Sequence, residues 1–274
     1  MAQRNPREKK RFSQENPLII TLDIIGFSRG AAAARDFANQ VINRKNNNYY
    51  NKTLFGFGAN ESRYNCVGIK IRFMGLFDTV LSTAAGDFNL AVSDTQIGYV
   101  AHAVAVNEYR AVFPLESIES SYDNRGFGNY RIERGFIGAH SDVGGGYAGA
   151  GGDGGDLSDV ALNWMWQQAA AAGVPMRALG ADQVRVASPI LHDESRVAPW
   201  VLPGLGGFSS DRDVRYPNQA RPSKTTEPGE GMTYAQSQSG GYIQYHPYHA
   251  GNRAGMVDMK QYGQWLQSQG ISIQ

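Results

Sequence analysis

Cysteine is nearly absent from this chain of 274 residues, in which Cys66 is the only one. A single cysteine excludes a disulfide bond within the chain and fits folding in a reducing compartment. For Cys66, packing as a small buried side chain is favoured over a role as a nucleophile.

Long hydrophobic runs are absent as well. No apolar run approaches the about 20 residues that a membrane-spanning helix needs. The sequence begins MAQRNPREKKRFSQENP, which is basic and contains no apolar segment, so it does not have the pattern of a signal peptide. We expect residues 1–16 to be a flexible basic tail and the protein to be cytoplasmic in the cell that makes it.

An excess of one charge is also missing, since 26 Lys and Arg stand against 25 Asp and Glu, for a formal net charge of +1. The charge therefore gives no reason to expect nucleic acid as a partner. The chain is long enough for one large domain with a sizeable core, which we predict over residues 17–274. Within it, segment 203–241 is loop-rich and is a candidate lid or cap, and segments 242–248 and 256–266 are expected to dock onto the rest.

Glycine, by contrast, is abundant, with 33 residues, and it is concentrated in segment 144–155 (GGGYAGAGGDGG). Residues 151–156 fit the beginning of a calcium-binding nonapeptide repeat, but Ser158 falls where that repeat needs a large apolar residue. We therefore predict a flexible loop in this segment, and neither a metal nor a cofactor.

The most informative stretch is Ile24–Ala32, with the sequence IIGFSRGAA. The run Pro17–Ile25 before it is apolar and β-branched, which is typical of a strand covered on both faces. The run Arg29–Asn43 is alanine-rich with apolar residues near helical spacing, which predicts a helix. G-x-S-x-G between a strand and a helix is the pattern of a nucleophile elbow with Ser28 at its apex. The flanking glycines permit a tight turn and a close approach of strand and helix, and the amide of Arg29 at the helix start favours an oxyanion.

Two further predicted strands end in reactive side chains. The run Val67–Val80 carries Asp78 at its end, and the run Tyr130–Ala139 leads to His140. Because the carboxyl ends of parallel strands meet at one edge of a sheet, we expect Ser28 to lie close to both. A serine nucleophile needs a base, the base needs an acid to hold its tautomer, and the order Ser, Asp, His is that of α/β hydrolases.

Other residues compete for the roles of base and acid. The alternative bases are His192, His246 and His249, and the alternative acids are Asp142 and Asp159. All three histidines lie in segments predicted as irregular, so His140 ranks ahead of them. Asp142 lies two residues from His140 on the same loop, which makes it awkward for orienting that ring.

Two more helices are predicted, over Thr95–Phe113 and Leu157–Ala172. His102 in the first is interpreted as a partly buried structural histidine. Trp164 and Met165 in the second are interpreted as core residues rather than as a ligand site.

Several blocks of this sequence resemble a known family. They are Gly26–Ala31 (GFSRGA), Gly75–Val80 (GLFDTV), His140–Tyr147 (HSDVGGGY) and Leu157–Met165 (LSDVALNWM). Together they resemble the DUF2235 family of α/β hydrolases, and in particular the Tle1-type phospholipase effectors of the type VI secretion system. The resemblance spans about residues 17–175.

The resemblance implies an α/β-hydrolase-like fold, with a mostly parallel sheet flanked by helices. It implies that Ser28, Asp78 and His140 form a catalytic triad with phospholipase A activity on bacterial membrane lipids. It also implies delivery on a secretion spike protein, without a signal peptide, into the periplasm of a target cell. An immunity protein in the producing cell is the further partner that it implies.

The sequence departs from the family pattern before Ser28. Only 27 residues precede this serine, and only Pro17–Ile25 can form a strand there, whereas an α/β hydrolase places several strands before its nucleophile and the family carries a D-G-T type segment. We therefore expect a sheet that lacks the usual N-terminal strands and that an upstream chain would complete. Reduced activity is expected too, because the second oxyanion donor usually comes from that region.

The leading functional hypothesis is a serine hydrolase that cleaves acyl esters of membrane glycerophospholipids. Two alternatives stay open. One is an esterase of small soluble or glycan esters, since the sequence shows no acyl-chain groove. The other is a catalytically silent fragment that acts through protein binding.

Overall fold

The structure is a computed structural model, and the residues that it describes fall in separate ranges. These are 18–46, 67–81, 88–92, 96–108, 110, 113–118, 130–147, 155–192, 213–214, 223–224, 245–249, 252–268 and 270–271. The predicted tail 1–16, Cys66, most of the glycine-rich loop and nearly all of segment 203–241 lie outside the described residues.

The described residues form nine strands and five helices. The strands are β1 (Leu18–Phe27), β2 (Val67–Phe77), β3 (Ile97–Ala105), β4 (Arg131–Phe136), β5 (Ile190–His192), β6 (Asp213–Val214), β7 (Ser223–Lys224), β8 (Tyr245–His249) and β9 (Asn252–Val257). The helices are α1 (Arg29–Asn46), α2 (His140–Gly144), α3 (Ser158–Ala171), α4 (Ala181–Val184) and α5 (Met259–Ser268).

Strands β1 to β4 form one parallel sheet in the order β1-β2-β3-β4. Different helices cover its two faces. Neighbouring residues of a strand point to opposite faces and therefore pack against different helices. Met74 packs with α1 on one face, while Phe73 packs with α3 and α5 on the other. The predicted fold class, an α/β fold with a parallel sheet flanked by helices, is confirmed.

Strand β1 lies at one end of this order, with β2 as its neighbour among the described strands. Its Leu22 and Ile24 pack toward α1, but Ile19 and Ile25 on the opposite face are 52% and 55% exposed. The prediction that this strand is covered on both faces is therefore wrong. A run of apolar residues shows that a strand is apolar on both sides, but not that both sides are buried.

Strand β3 replaces the helix predicted over Thr95–Phe113, and that prediction is wrong. β3 lies between β2 and β4 and is buried along nearly its whole length. A strand covered on both faces is apolar at almost every position, so the residues at helical spacing are apolar as well. The spacing of apolar residues then cannot distinguish such a strand from a helix. His102 within β3 is fully buried rather than partly buried.

The C-terminal segments complete the core on the α3 side of the sheet. β5, β9 and β8 form an antiparallel sheet, and the buried Tyr262 of α5 accepts a hydrogen bond from the Ile137 backbone amide at 3.0 Å. Trp164 and Met165 of α3 lie in the same core cluster, as predicted. Among the described residues, no helix has both the length and the apolar character to cross a membrane.

The turn from β1 into α1 depends on one glycine. A Cβ atom at Gly26 would lie 2.5 Å from the Gly30 carbonyl oxygen and 2.8 Å from the Ala31 Cα, so strand and helix meet there without room for a side chain. At Gly30 no described atom lies within 4 Å of an added Cβ. The expectation that both glycines serve this close approach therefore holds for Gly26 and is wrong for Gly30.

Gly26→Ala is expected to lower the free energy of unfolding by about 3 kcal/mol, because backbone atoms cannot move aside for the new methyl group. Gly30→Ala is the matched control and is expected to raise this free energy by about 0.5 to 1 kcal/mol, since the added methyl group meets no neighbour and the unfolded chain loses freedom. Denaturant unfolding measures both changes. Equal stabilities of the two variants would contradict this account of the turn.

Candidate active site

Ser28 occupies the apex of the turn between β1 and α1. Its φ of 59° is in the left-handed region that non-glycine residues rarely adopt. Its backbone amide donates to the Phe77 carbonyl at 3.0 Å, and its own carbonyl accepts from Ala31 and Ala32 in the first turn of α1. These bonds hold the serine where a parallel sheet gives way to the start of a helix, as the elbow pattern predicts.

Asp78 follows the neighbouring strand β2 and is fully buried. Its φ of 38° is also positive. Its backbone amide donates to the Ala103 carbonyl at 2.7 Å, and its Oδ1 atom accepts from the Ala105 amide at 2.9 Å. Its other oxygen, Oδ2, lies 2.6 Å from Nδ1 of His140. The acid and the base predicted from the sequence are thus hydrogen-bonded to each other.

His140 begins helix α2, four residues after the end of β4. The ring packs against Phe27 with 4.5 Å between ring centroids and against Phe113 with 4.9 Å. The backbone amide of His140 donates to the fully buried carboxylate of Glu108 at 3.2 Å. The aromatic contacts and the Asp78 carboxylate therefore fix the imidazole, with Nδ1 toward Asp78 and Nε2 as its remaining nitrogen, while Glu108 holds the backbone of the same residue.

The elbow and the histidine lie side by side. Phe27 directly precedes Ser28 and contacts the His140 ring, and a Cβ at Gly144 in α2 would lie 2.0 Å from the Phe27 ring. Within the described part of the chain, no hydrogen bond joins the Ser28 hydroxyl to the His140 ring. Such bonds are often long in the absence of substrate and shorten in its complex.

Helix α1 presents its amino end at the elbow. Since the Ser28 carbonyl is paired with the amides of Ala31 and Ala32, the amide of Arg29 precedes the first hydrogen bond of the helix. Free amides at the start of a helix of 18 residues, together with its dipole, favour negative charge. The amide predicted as the oxyanion donor therefore has the chemistry for that role.

The competing residues are engaged elsewhere. Asp142 binds His192 rather than His140, with 2.7 Å between its Oδ1 and His192 Nδ1, and its Oδ2 accepts from the amides of His192 and Ala139. Burial raises the pKa of the Asp142 carboxyl, and these bonds oppose that effect. Tyr147 stacks on His192 with 3.7 Å between ring centroids.

Two other competing histidines, His246 and His249, lie in β8, whose side chains are outside the described residues. Asp159 lies at the start of α3 beside two further carboxylates. Among the described residues, no group of three or more His, Cys, Asp or Glu side chains is arranged to hold a metal ion.

Several residues of the site were not predicted from the sequence. Glu108 holds the amide of His140, and Phe113 packs on its ring. Asn107 donates its backbone amide to the Gly138 carbonyl and accepts from the Gly138 amide through its side chain, which fixes the turn before α2. All three fall in or beside the segment predicted as a helix. Had β3 been recognised, Asn107 and Glu108 would have stood at the same carboxyl edge as Asp78.

Comparison with known proteins agrees with the blocks noted in the sequence. Residues 43–168 match the family model for the catalytic domain of the type VI secretion phospholipase effectors described as Tle1-like. The resemblance to the Tle1-type effectors is confirmed. This Tle1-like segment contains Asp78 and His140 but begins after Ser28.

Two solved structures are also similar to the chain. An uncharacterized protein from Pseudomonas aeruginosa is 32% identical, with 62% of this chain and 26% of that chain covered and a TM-score of 0.44. The Tle1 effector bound to the VgrG spike of the type VI secretion system is 32% identical, with 50% and 27% covered and a TM-score of 0.36. The chain therefore spans about a quarter of each. No curated protein matches it.

Asp159 in the Tle1-like segment gives a prediction about pH. Burial, together with the negative charges of Asp156 and Asp182, raises the pKa of Asp159 from 3.8 to about 6. The folded protein therefore binds this proton more tightly than the unfolded chain, so its contribution to stability is fully present below pH 4 and is lost as the pH rises through about 6.

Asp159→Asn is accordingly expected to raise the free energy of unfolding by about 1 kcal/mol at pH 8, a value that allows for solvent screening of this partly exposed group. Below about pH 4 the gain should vanish, because the native aspartate is then protonated as well. Denaturant unfolding at the two pH values measures this difference. An equal effect at both would show that the charge of Asp159 is not the cause.

Proposed function

We propose that the protein is a serine ester hydrolase in which Ser28 is the nucleophile, His140 the general base and Asp78 the residue that orients the base. The observation that carries the proposal is the buried hydrogen bond of 2.6 Å between Asp78 Oδ2 and His140 Nδ1. The positive φ of Ser28, the contact of Phe27 with the His140 ring and the open amino end of α1 support the role of the serine.

The reaction follows from these positions. The Ser28 hydroxyl attacks the carbonyl carbon of an ester, and its proton passes to Nε2 of His140. The Asp78 carboxylate stabilises the imidazolium that forms, and the Arg29 amide stabilises the negative oxygen of the tetrahedral intermediate. His140 then returns the proton to the leaving alcohol. A water molecule, activated by the same base, hydrolyses the acyl-enzyme and restores the serine.

The proposed substrates are the acyl esters of membrane glycerophospholipids. Support comes from the match of residues 43–168 to the catalytic domain of a phospholipase effector family. We propose accordingly that the protein is an antibacterial effector that acts in the periplasm of a target cell. A secretion spike protein and an immunity protein are its proposed partners, the first by analogy with the Tle1 effector solved on the VgrG spike.

Ser28→Ala is expected to reduce release of fatty acid from phospholipid vesicles by at least about 10³-fold, because no other nucleophile replaces the hydroxyl. Asp78→Asn is expected to lower kcat by about 10³- to 10⁴-fold, since the His140 ring would lose the acceptor that selects its tautomer. Titration of released fatty acid measures both variants. Thermal unfolding of each serves as the control for folding. Unchanged release by folded Ser28→Ala would overturn the proposal.

The substrate class is tested by a second comparison, between a short-chain soluble ester and micellar phospholipid. A membrane lipase is expected to turn over the aggregated lipid about 10-fold or more faster, since apolar contacts with acyl chains add binding free energy. Turnover of the soluble ester alone would instead identify an esterase of small or glycan esters.

A catalytically silent, protein-binding role is the second candidate function. It is favoured by the position of β1 at the end of the sheet among the described strands and by the exposure of Ile19 and Ile25 on that strand. It predicts release by the native protein equal to that of folded Ser28→Ala. The same assay therefore separates the two candidates.

A further inference from the structure

A further histidine–carboxylate pair, with both side chains fully buried, lies next to Thr79, the residue after Asp78. His102 in β3 and Glu133 in β4 are paired across the sheet, with 2.9 Å between His102 Nδ1 and Glu133 Oε2. Their side chains are 0% and 1% exposed. Neither residue has a part in the chemistry proposed for Ser28 and His140. A buried pair of this kind nevertheless needs a physical reason, because removing charge from water is costly.

The hydrogen bonds determine how the His102 ring is protonated. Its Nε2 atom accepts from the backbone amide of Thr79 at 3.0 Å and lies 3.0 Å from the Thr79 hydroxyl. An atom that accepts from an amide carries a lone pair, so the ring proton is on Nδ1 and is donated to Glu133. His102 thus links a buried carboxylate to one backbone amide.

Glu133 anchors the other end of this link. Its carboxylate also accepts from the Ser117 hydroxyl and from the Ile118 amide at 2.9 Å. Burial alone would raise the pKa of this carboxyl, but the bonds from His102, Ile118 and Ser117 outweigh burial and hold the pKa below its usual value. A charged acceptor with three donors is rigid, so the ring of His102 has a fixed support.

Thr79 is the residue directly after Asp78. The φ of Asp78 is +38°, a conformation that persists only where the surroundings impose it. The backbone amide of Asp78 donates to the Ala103 carbonyl, and the amide that follows it, that of Thr79, donates to Nε2 of His102. The Thr79 carbonyl in turn accepts from the Glu116 amide at 2.9 Å.

We propose that Glu133 and His102 are positioning residues, which hold the Thr79 amide and thereby keep Asp78 in the strained backbone conformation from which its carboxylate reaches His140. The expected effect of these two residues on turnover rests on the proposed function, in which Asp78 orients the catalytic base. Its structural part, the placement of Asp78 against His140, stands independently of that function.

The test uses His102→Phe, which keeps the shape of the ring but removes the acceptor for Thr79. We expect kcat on phospholipid vesicles to fall about 10- to 100-fold with KM within about twofold, since a displaced catalytic group slows the chemistry without touching the substrate site. The far-downfield proton resonance of His140 Nδ1, identified by its loss in Asp78→Asn, should disappear or move upfield. His102→Gln retains an amide oxygen near the position of Nε2 and is expected to recover most of kcat.

Arg131→Met is the matched control for lost stability. Arg131 lies two residues from Glu133 on the same strand, is buried, and donates to the carbonyls of Ile97 and Gly98. Its loss is expected to lower the unfolding temperature while kcat and the His140 resonance stay as in the native protein. A fall in kcat with Arg131→Met as large as that with His102→Phe would overturn the proposal.

If His102→Phe does not fold, Glu133→Gln tests the proposal instead. This substitution keeps the size of the side chain but removes its charge, so that the Ile118 amide meets either a neutral oxygen or an NH₂ group that cannot accept its hydrogen bond. The expected result is a fall in kcat of about 10-fold with an upfield shift of the resonance. A folded variant with native kcat and an unmoved resonance would refute the inference. If the native protein itself shows no turnover that depends on Ser28, the proposed function fails, and the resonance alone decides whether His102 positions Asp78.

Discussion

The hydrogen bond between Asp78 and His140 is the contact on which the rest of the site depends. It joins a fully buried carboxylate to a nearly buried imidazole at 2.6 Å. A buried carboxylate is tolerated only with partners, and those of the Asp78 side chain include the His140 ring and the Ala105 amide. The same bond selects the tautomer that directs Nε2 away from the acid. Loss of the bond would leave both a charge without its partner and a base without an orientation.

The sheet brings these groups together through bonds that continue the strand pairing beyond the strand ends. Ser28 donates to Phe77, Asp78 donates to Ala103, and Val106 donates to Phe136. Each step crosses from one strand to the next along the carboxyl edge. Ser28 and Asp78 are also the residues other than glycine with positive φ in the described part of the chain. Backbone strain of this kind concentrates at functional sites, and here the edge of the sheet sustains it.

Much of this arrangement was predictable from the sequence, because it depends on local patterns. The apolar runs before Ser28 and Asp78 and the run before His140 identified the strand ends, and parallel pairing then predicted that these ends meet. The glycine requirement at Gly26 also follows from the elbow pattern, since strand and helix must approach closely there. These features are encoded within about ten residues of each side chain.

The rest depends on pairings between distant segments, which composition and spacing do not record. β3 was predicted as a helix because a strand buried on both faces does not alternate between apolar and polar residues. As a result of that wrong prediction, the positions of His102 and Glu108 near the site were missed. The bond between Asp142 and His192 joins residues 50 apart. No local pattern distinguishes such a pair from two unconnected polar residues.

The most direct test of the central claim is to treat the native protein with a fluorophosphonate and to map the adduct by peptide mass spectrometry. Such reagents capture a serine only when a correctly held base activates it. The account predicts one adduct, on Ser28, which is lost in a folded His140→Ala variant. Absence of any adduct, or an adduct on Ser28 that persists without His140, would contradict it.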